Sequence, residues 1–377
     1  MRASVLQENL AKALNIVSKA VDSRPTLPVL ANVLLETEDA RLKLVATNLE
    51  MSITCWIGAK IEEPGTITLP AKTFTDLVTN LSPERVDLKL DENTRTMNVR
   101  CGTTNSNIKG IDAEEFPLIP QGGDDQVRVP GKPLKEMIAQ TVFAAAKEDN
   151  RPILTGVYTQ FDTNVLTMAA ADGYRLAMRT TEIERTFVNP IDMVIPSRSL
   201  GEVARIIGDE DNEVVIDLPG DRDIVLFHMQ NVVVSSQLLE GKFPDFSAIV
   251  PRGYVTSTVV YTQDLLRACQ RAEIFARDSA NSARMFVKPA SGPGEPGAVT
   301  IVGKSTERGD NEGMLDASVE GEALDISFNI RYLIDVLRVI GDERVVFESN
   351  GATNPGVIRP ENRDDFIHVI MPMSVTR

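Results

Sequence analysis

Apolar residues recur at helical spacing in three places along this chain, and the three places match one another. Leu69-Pro70-Ala71-Lys72-Thr73-Phe74, Ile195-Pro196-Ser197-Arg198-Ser199-Leu200 and Phe328-Asn329-Ile330-Arg331-Tyr332-Leu333 share one pattern. Each has an apolar residue, a Pro or Asn, a free position, a base, another free position and a large apolar residue. The sets Phe74/Leu77/Val78/Leu81, Leu200/Val203/Ala204/Ile207 and Leu333/Val336/Leu337/Ile340 then keep the offsets 0, 3, 4, 7, which is one face of an α-helix. The copies stand 126 and 133 residues apart. Pro70 and Pro196 are expected in the first helical turn, where proline is tolerated. An earlier helical run precedes each copy: Leu6/Leu10/Ala13/Leu14/Val17, Leu134/Met137/Ile138/Thr141/Val142 and Leu265/Ala268/Cys269/Ala272.

Between these helices the pattern changes to period two, as in half-buried antiparallel strands. Arg41–Ala46, Val86–Leu90, Val165–Met168, Val214–Leu218 and Val345–Glu348 read this way, with turns at Asp91-Glu92-Asn93, Pro219-Gly220-Asp221 and Asn350-Gly351. Each unit of about 125 residues therefore predicts two helices and roughly eight short strands, an α+β module used three times. Loop-like joints at 117–126 and 249–253 suggest domains at residues 1–124, 125–251 and 252–377.

Composition changes this picture little: 377 residues, 42% hydrophobic and 25% charged, suit folded domains with real cores. The chain has no apolar run of the length a membrane span needs, and its first twenty residues do not read as a signal peptide. Cys55, Cys101 and Cys269 are scattered and odd in number, which disfavours a disulfide framework and points to a reducing cytoplasm.

Charge does change it. Thirty-nine bases against 54 acids leave a net of −15, which on its face argues against nucleic acid. Yet the six helical segments together hold a net positive charge, so the acidity lies elsewhere. Lysine and arginine are good helix formers, which is one reading; a repeated helical face turned toward a polyanion is the other. Helices pack roughly 8–10 Å apart. A ring of six leaves a hole of about 10 Å, whereas twelve leave about 30 Å, enough for a duplex roughly 20 Å across. Two chains could therefore encircle DNA where one could not.

The sequence resembles the bacterial DNA polymerase III beta subunit, or sliding clamp, family along its whole length. The resemblance rests on Ser23-Arg24-Pro25-Thr26-Leu27-Pro28-Val29-Leu30, Ala46-Thr47-Asn48-Leu49-Glu50-Met51, Ala170-Ala171-Asp172-Gly173-Tyr174-Arg175-Leu176-Ala177, Gly241-Lys242-Phe243-Pro244-Asp245-Phe246 and Val369-Ile370-Met371-Pro372-Met373. It implies three similar clamp domains per chain, with helices on the inner face, antiparallel sheets outside and two chains closing head to tail around double-stranded DNA. It implies no catalytic residue, no metal and no cofactor. Implied partners are the DNA polymerase III alpha subunit, the clamp loader complex, and other replication and repair proteins that carry a clamp-binding peptide. No membrane is involved, and the implied location is the cytoplasm, at the nucleoid.

By the same resemblance Arg24, Lys147, Arg151 and Arg198 lie near DNA. Leu154, Gly173, Tyr174, Arg175, Leu176, Pro244, Ile249, Val369, Met371, Pro372 and Met373 form the peptide pocket. Two departures stand out: Glu148 where some relatives have a neutral polar residue, and a tail that continues Ser374-Val375-Thr376-Arg377 beyond the usual end.

Other signals lead nowhere. Gly292-Pro293-Gly294-Glu295-Pro296-Gly297 spells a dinucleotide fingerprint, but its prolines remove amide donors and the strand-like Ala298–Val302 follows it, so a hairpin loop is expected. His228 and His368 are expected as satisfied sheet residues, and Asp172 as a turn residue. The rival readings are a hydrolase or transferase using Asp172 and Arg175, and a repeat protein that binds acidic partners without encircling them.

Overall fold

The computed structural model describes residues 1–377 except 23–24, 121, 124, 149, 209–211, 219, 221–222, 293 and 375–377. Six α-helices are found among the described residues: α1 (Gln7–Val17), α2 (Ala71–Thr79), α3 (Gly131–Val142), α4 (Ser197–Ile207), α5 (Thr262–Ala276) and α6 (Ile330–Val339). Every helical run read from the pattern has a helix, and most of its apolar stripe is buried, with two corrections: Leu6 closes the strand Arg2–Leu6 and is exposed, and Leu81 lies beyond the end of α2. Leu10, Ala13, Leu14 and Val17 of α1 are buried, as are Phe74 and Val78 of α2 and Leu333, Val336 and Leu337 of α6. Removing a side chain such as Leu10 or Leu14 from water stabilises by about 2–3 kcal/mol.

The prolines stand one step earlier than expected. Pro70 and Pro196 close the strands Thr66–Pro70 and Arg175–Pro196, and the helices begin at the next residue. At the matching place in the third copy, Asn329 is the N-cap and its side chain accepts from the Arg331 amide at 3.1 Å. One position thus serves the strand-to-helix junction three times, by proline's fixed φ or by asparagine's oxygen.

Among the described residues all strands pair antiparallel, in three sheets. A five-stranded sheet runs Lys60–Glu63, Arg2–Leu6, Arg85–Asp91, Thr96–Cys101, Thr104–Lys109. An eight-stranded sheet begins at Gln126–Pro130, continues through Glu213–Asp217, Ile224–Met229 and Val232–Gln237, and ends with Met51–Gly58, Arg41–Thr47, Asn32–Glu38 and Thr66–Pro70. A ten-stranded sheet starts with the hairpin Gly156–Ala171/Arg175–Pro196 and passes through Phe366–Ile370 into the strands of the last third.

The chain divides into two compact units, 1–135 with 199–238, and 136–198 with 239–377. The division runs through the middle repeat, for a reason visible in the ladders. Strand Val232–Gln237 pairs with Met51–Gly58 (Val232 opposite Cys55, Ser236 opposite Met51), so that part of the repeat extends the first repeat's sheet. Strand Arg175–Pro196 pairs with Phe366–Ile370 (Arg175 opposite Ile370), so the other part extends the third repeat's sheet.

The middle repeat also has fewer, longer strands than expected. Its 16- and 22-residue strands form one hairpin, and the register slips on either side of Thr163, whose φ is 52°. Two short strand pairs have fused across a bulge. The Gly292–Gly297 segment joins antiparallel strands Ser282–Lys288 and Gly297–Ser305, a hairpin connection as expected, although Pro293 lies outside the described residues. Pro219 and Asp221 of the predicted turn also lie outside them.

Candidate functional site

The second unit gathers the pocket residues onto one buried floor. Leu154, Leu176 and Val369 share an apolar cluster with Ala169, Ala171, Val194, Phe243 and Val357, against which Tyr158, Leu239, Phe246 and Val250 pack. Leu154 enters from a short 3-10 turn, Pro152–Thr155, and Leu176 from the start of a long strand. Val369 sits directly opposite Leu176 in the ladder, so both side chains project to the same face. Tyr158, Phe243 and Phe246 form a triangle with ring centroids 5.5 to 6.2 Å apart, an edge-and-tilt arrangement that adds to burial.

The rim is built by one turn and the chain's end. Gly173 has φ 93°, left-handed space that favours glycine. Asp172 holds the turn: its Oδ1 accepts from the amides of Tyr174 at 2.9 Å and Arg175 at 3.1 Å. Tyr174 is thereby pushed out of the fold and is 65% exposed. Its carbonyl accepts from the Met371 amide at 2.8 Å, and the Met373 amide donates to the Ser327 carbonyl at 2.8 Å. Those two bonds fix the Met371-Pro372-Met373 tail beside the turn. Met371 and Ile249 are exposed large apolar side chains, and Pro244 is exposed between the two phenylalanines. An apolar floor with a methionine, whose unbranched side chain adapts to its contacts, and an aromatic at its lip suits an apolar ligand of variable sequence.

Arg175 is not a rim residue. Its side chain is 4% exposed, and all of its reach is committed inward. Nε donates to Asp172 Oδ2 at 3.0 Å, Nη1 to Asp335 Oδ2 at 2.8 Å and Nη2 to the Phe143 carbonyl at 2.7 Å. The guanidinium lies over Tyr332, 4.3 Å from the ring centroid, and over Phe143 at 5.4 Å. Asp172 is consumed in the same way, as the turn residue it was expected to be. Neither is free for acid–base work on a substrate.

His368 corrects an expectation. It lies in the strand Phe366–Ile370 as predicted, but it is fully buried and neither ring nitrogen meets a hydrogen-bond partner among the described residues. It behaves as a core aromatic, with its ring 5.2 Å from that of Phe143. Burial, aided by the positive Arg175, pushes its pKa down to about 3. His228 fits the expectation, with Nε2 2.9 Å from Asp217 Oδ2.

Of the four basic residues singled out, Arg24 lies outside the described residues. Lys147 and Arg151 stand on the connection between α3 and the 3-10 turn, and Arg198 on the first turn of α4. All three are exposed and form no ion pair among the described residues. Arg151 also borders the pocket turn, since a Cβ at Gly173 would lie 3.7 Å from its Nη1. Other helical cations are neutralised locally: Arg205 by Glu202, Arg267 by Asp264, and Arg331 by Glu273.

Sequence reading missed Tyr158, Leu239, Val250 and Val357. Phe243 and Phe246 stand inside the Gly241–Phe246 motif, of which the expected pocket includes only Pro244. The other four sit at ordinary apolar positions with no local signal to separate them from any core.

A thrice-repeated α+β chain with a buried apolar floor, and with surface cations that form no ion pair among the described residues, has the organisation of a binding scaffold. Comparisons with known proteins agree. The DNA polymerase III beta subunit family matches in three parts: its N-terminal domain at residues 1–120, its central domain at 128–245 and its C-terminal domain at 247–374. The beta sliding clamp of Bacillus subtilis (strain 168) is 32% identical over 383 residues, covering 99% of each chain. That of Halalkalibacterium halodurans is 33% identical over 374 residues, covering 95% of this chain and 96% of the relative. The crystal structure of the Bacillus subtilis clamp aligns with a TM-score of 0.93 at 30% identity, over 100% of this chain and 99% of that one. A Pseudomonas aeruginosa sliding clamp bound to griselimycin aligns at 0.92 and 29% identity over the whole of both chains. The chain belongs to the DNA polymerase III beta subunit family, with the three clamp domains of that fold.

Proposed function

We propose that this chain is a replication sliding clamp: two copies close head to tail into a ring, duplex DNA runs through it, and partners hold on by a peptide seated in the second unit's pocket. Full-length membership of the clamp family by a triplicated chain carries this reading. The ring catalyses nothing itself. It raises processivity by topology, keeping a polymerase on its template.

Sliding requires attraction to phosphates without recognition of bases, which lysine and arginine on long stems supply. Lys147, Arg151 and Arg198, exposed and without an ion pair among the described residues, suit that role, with Arg24 as the fourth contact. The peptide would rest on the floor of Leu154, Leu176 and Val369, under a lip of Gly173, Tyr174, Pro244, Ile249, Met371, Pro372 and Met373. Arg175 shapes this lip from beneath. Its partners would be the DNA polymerase III alpha subunit, the clamp loader complex, and replication and repair proteins bearing the same short motif. The work is done on the nucleoid, in the cytoplasm. Domain joints are proposed at 124/125 and 251/252, near the places where the matched stretches part. Ser374 is exposed beside the lip, and 375–377 lie outside the described residues.

Small-angle scattering with a solution mass tests the ring. A particle of twice 41.3 kDa with a central hole is expected, and a monomer at micromolar concentration overturns closure.

A further inference from the structure

All twelve methionines of the chain lie among the described residues. Seven are buried, three are half-buried, and Met314 and Met371 are exposed. Met371 is 42% exposed at the lip of the peptide pocket, and its backbone is fixed on both sides. Ile370 before it pairs with Arg175 in one ladder and with Gly356 in another. The Met371 amide extends the first ladder by one residue, donating to the Tyr174 carbonyl at 2.8 Å, and the Met373 amide donates to the Ser327 carbonyl at 2.8 Å. Pro372 between them has its φ locked. Met371 stands two residues after Val369, so strand alternation puts its side chain on the face of that floor residue.

A thioether in this place is open to a two-electron oxidant such as hydrogen peroxide. The sulfur lone pair attacks one peroxide oxygen, the O–O bond breaks as the S–O bond forms, and the departing hydroxide takes a proton to become water. The sulfur loses two electrons and the peroxide gains them. The sulfoxide is polar and chiral where the thioether was apolar. Leu154, Leu176, Val194, Phe243 and Val369 of the floor have no side-chain donor for the new oxygen, and an apolar ligand brings none. Arg175, beneath the lip, already spends Nε, Nη1 and Nη2 on Asp172, Asp335 and the Phe143 carbonyl. Covering the sulfoxide oxygen without a partner opposes docking, and the pinned backbone keeps the tail from carrying it away.

We propose that Met371 is an oxidation site that switches the pocket: its thioether admits the clamp-binding peptide, its sulfoxide disfavours it, and enzymatic reduction of the sulfoxide restores the first state. The inference rests on the peptide-pocket reading proposed above.

The test uses the full chain and a fluorescent peptide of the DNA polymerase III alpha subunit. Anisotropy gives the affinity before and after hydrogen peroxide, and mass spectrometry of a digest gives the sulfoxide fraction at each methionine. Met371 and Met314 are expected to oxidise before the seven buried methionines. Affinity should fall about tenfold, in step with the sulfoxide at Met371, and return after treatment with methionine sulfoxide reductase and a dithiol. Met314→Leu should show the same fall, since Met314 stands on the strand Gly309–Gly321, outside the pocket. Met371→Leu should bind equally before and after peroxide, whatever its starting affinity. Affinity unchanged with Met371 fully oxidised, or a fall in Met371→Leu as large as in wild type, overturns the switch and leaves the pocket standing. Absence of binding by the untreated chain overturns the pocket and the switch together.

Discussion

Arg175→Ala should destabilise the second unit far more than it alters the pocket's surface chemistry. The perturbation removes three charge-assisted hydrogen bonds of 2.7 to 3.0 Å and the stacking on Tyr332 and Phe143. Asp172 loses its side-chain partner, and Asp335 loses its guanidinium. Breaking a buried pair by deleting one member typically costs about 3–5 kcal/mol, because the surviving charge is left uncompensated. Arg175 is 4% exposed and Asp172 14%, so that pair is little screened, whereas Asp335 at 35% is partly relieved by water, which places the loss toward the lower end of that range. For a unit of this size each kcal/mol lowers the melting midpoint by about 2–4 °C, which gives a fall of about 10 °C. Differential scanning calorimetry reads that fall, and the first unit's transition serves as an internal reference if the two resolve. Peptide affinity should weaken as well, because Tyr174 stands on the Asp172–Arg175 turn, but as a consequence of the lost fold. A variant with unchanged melting and abolished peptide binding would refute the reasoning and make Arg175 a direct contact.

Tyr174→Ala and Met371→Ala remove exposed side chains from the lip. Each should weaken binding of a polymerase alpha-subunit peptide by about tenfold with the melting temperature unchanged; fluorescence anisotropy measures it, and unaltered affinity would move the site. His368 is neutral when folded, with its pKa pushed down to about 3 against an ordinary 6.5. The unfolded chain therefore takes up a proton first, and the stability that His368 contributes is complete above about pH 6.5 and lost as pH falls toward 3. Urea midpoints should fall less steeply from pH 7 to pH 4 in His368→Leu than in wild type, and equal slopes would count against a buried neutral ring. Burial pushes the Cys55 thiol up to about 11 and Cys269 to about 12, and raises Cys101 as well. A thiol-directed reagent at pH 7 should find no fast-reacting cysteine in the native chain and three after unfolding.

The helical skeleton was legible because its signal is local. Offsets such as Phe74/Leu77/Val78 or Leu333/Val336/Leu337 report a buried stripe wherever they occur, and their recurrence reported the triplication. What the repeats share between neighbours was not legible. The pairing of Val232–Gln237 with Met51–Gly58 joins residues roughly 180 positions apart, and nothing in either strand specifies the other. The same holds for the pocket. Gly173 and Tyr174 carry turn chemistry visible in the sequence, whereas Val357 joins the floor only because its strand is brought beside Val369. The inward course of the Arg175 side chain was not legible either. A lone arginine in a motif gives no sign of whether its guanidinium points to solvent or back to Asp335, 160 residues away.

The central claim is topological, and topology has a direct assay. Purified chain loaded by a clamp loader onto nicked circular DNA should stay bound through gel filtration, then come off when one restriction cut linearises the same DNA. Equal retention on circle and linear duplex, or equal loss from both, would contradict a closed ring that slides.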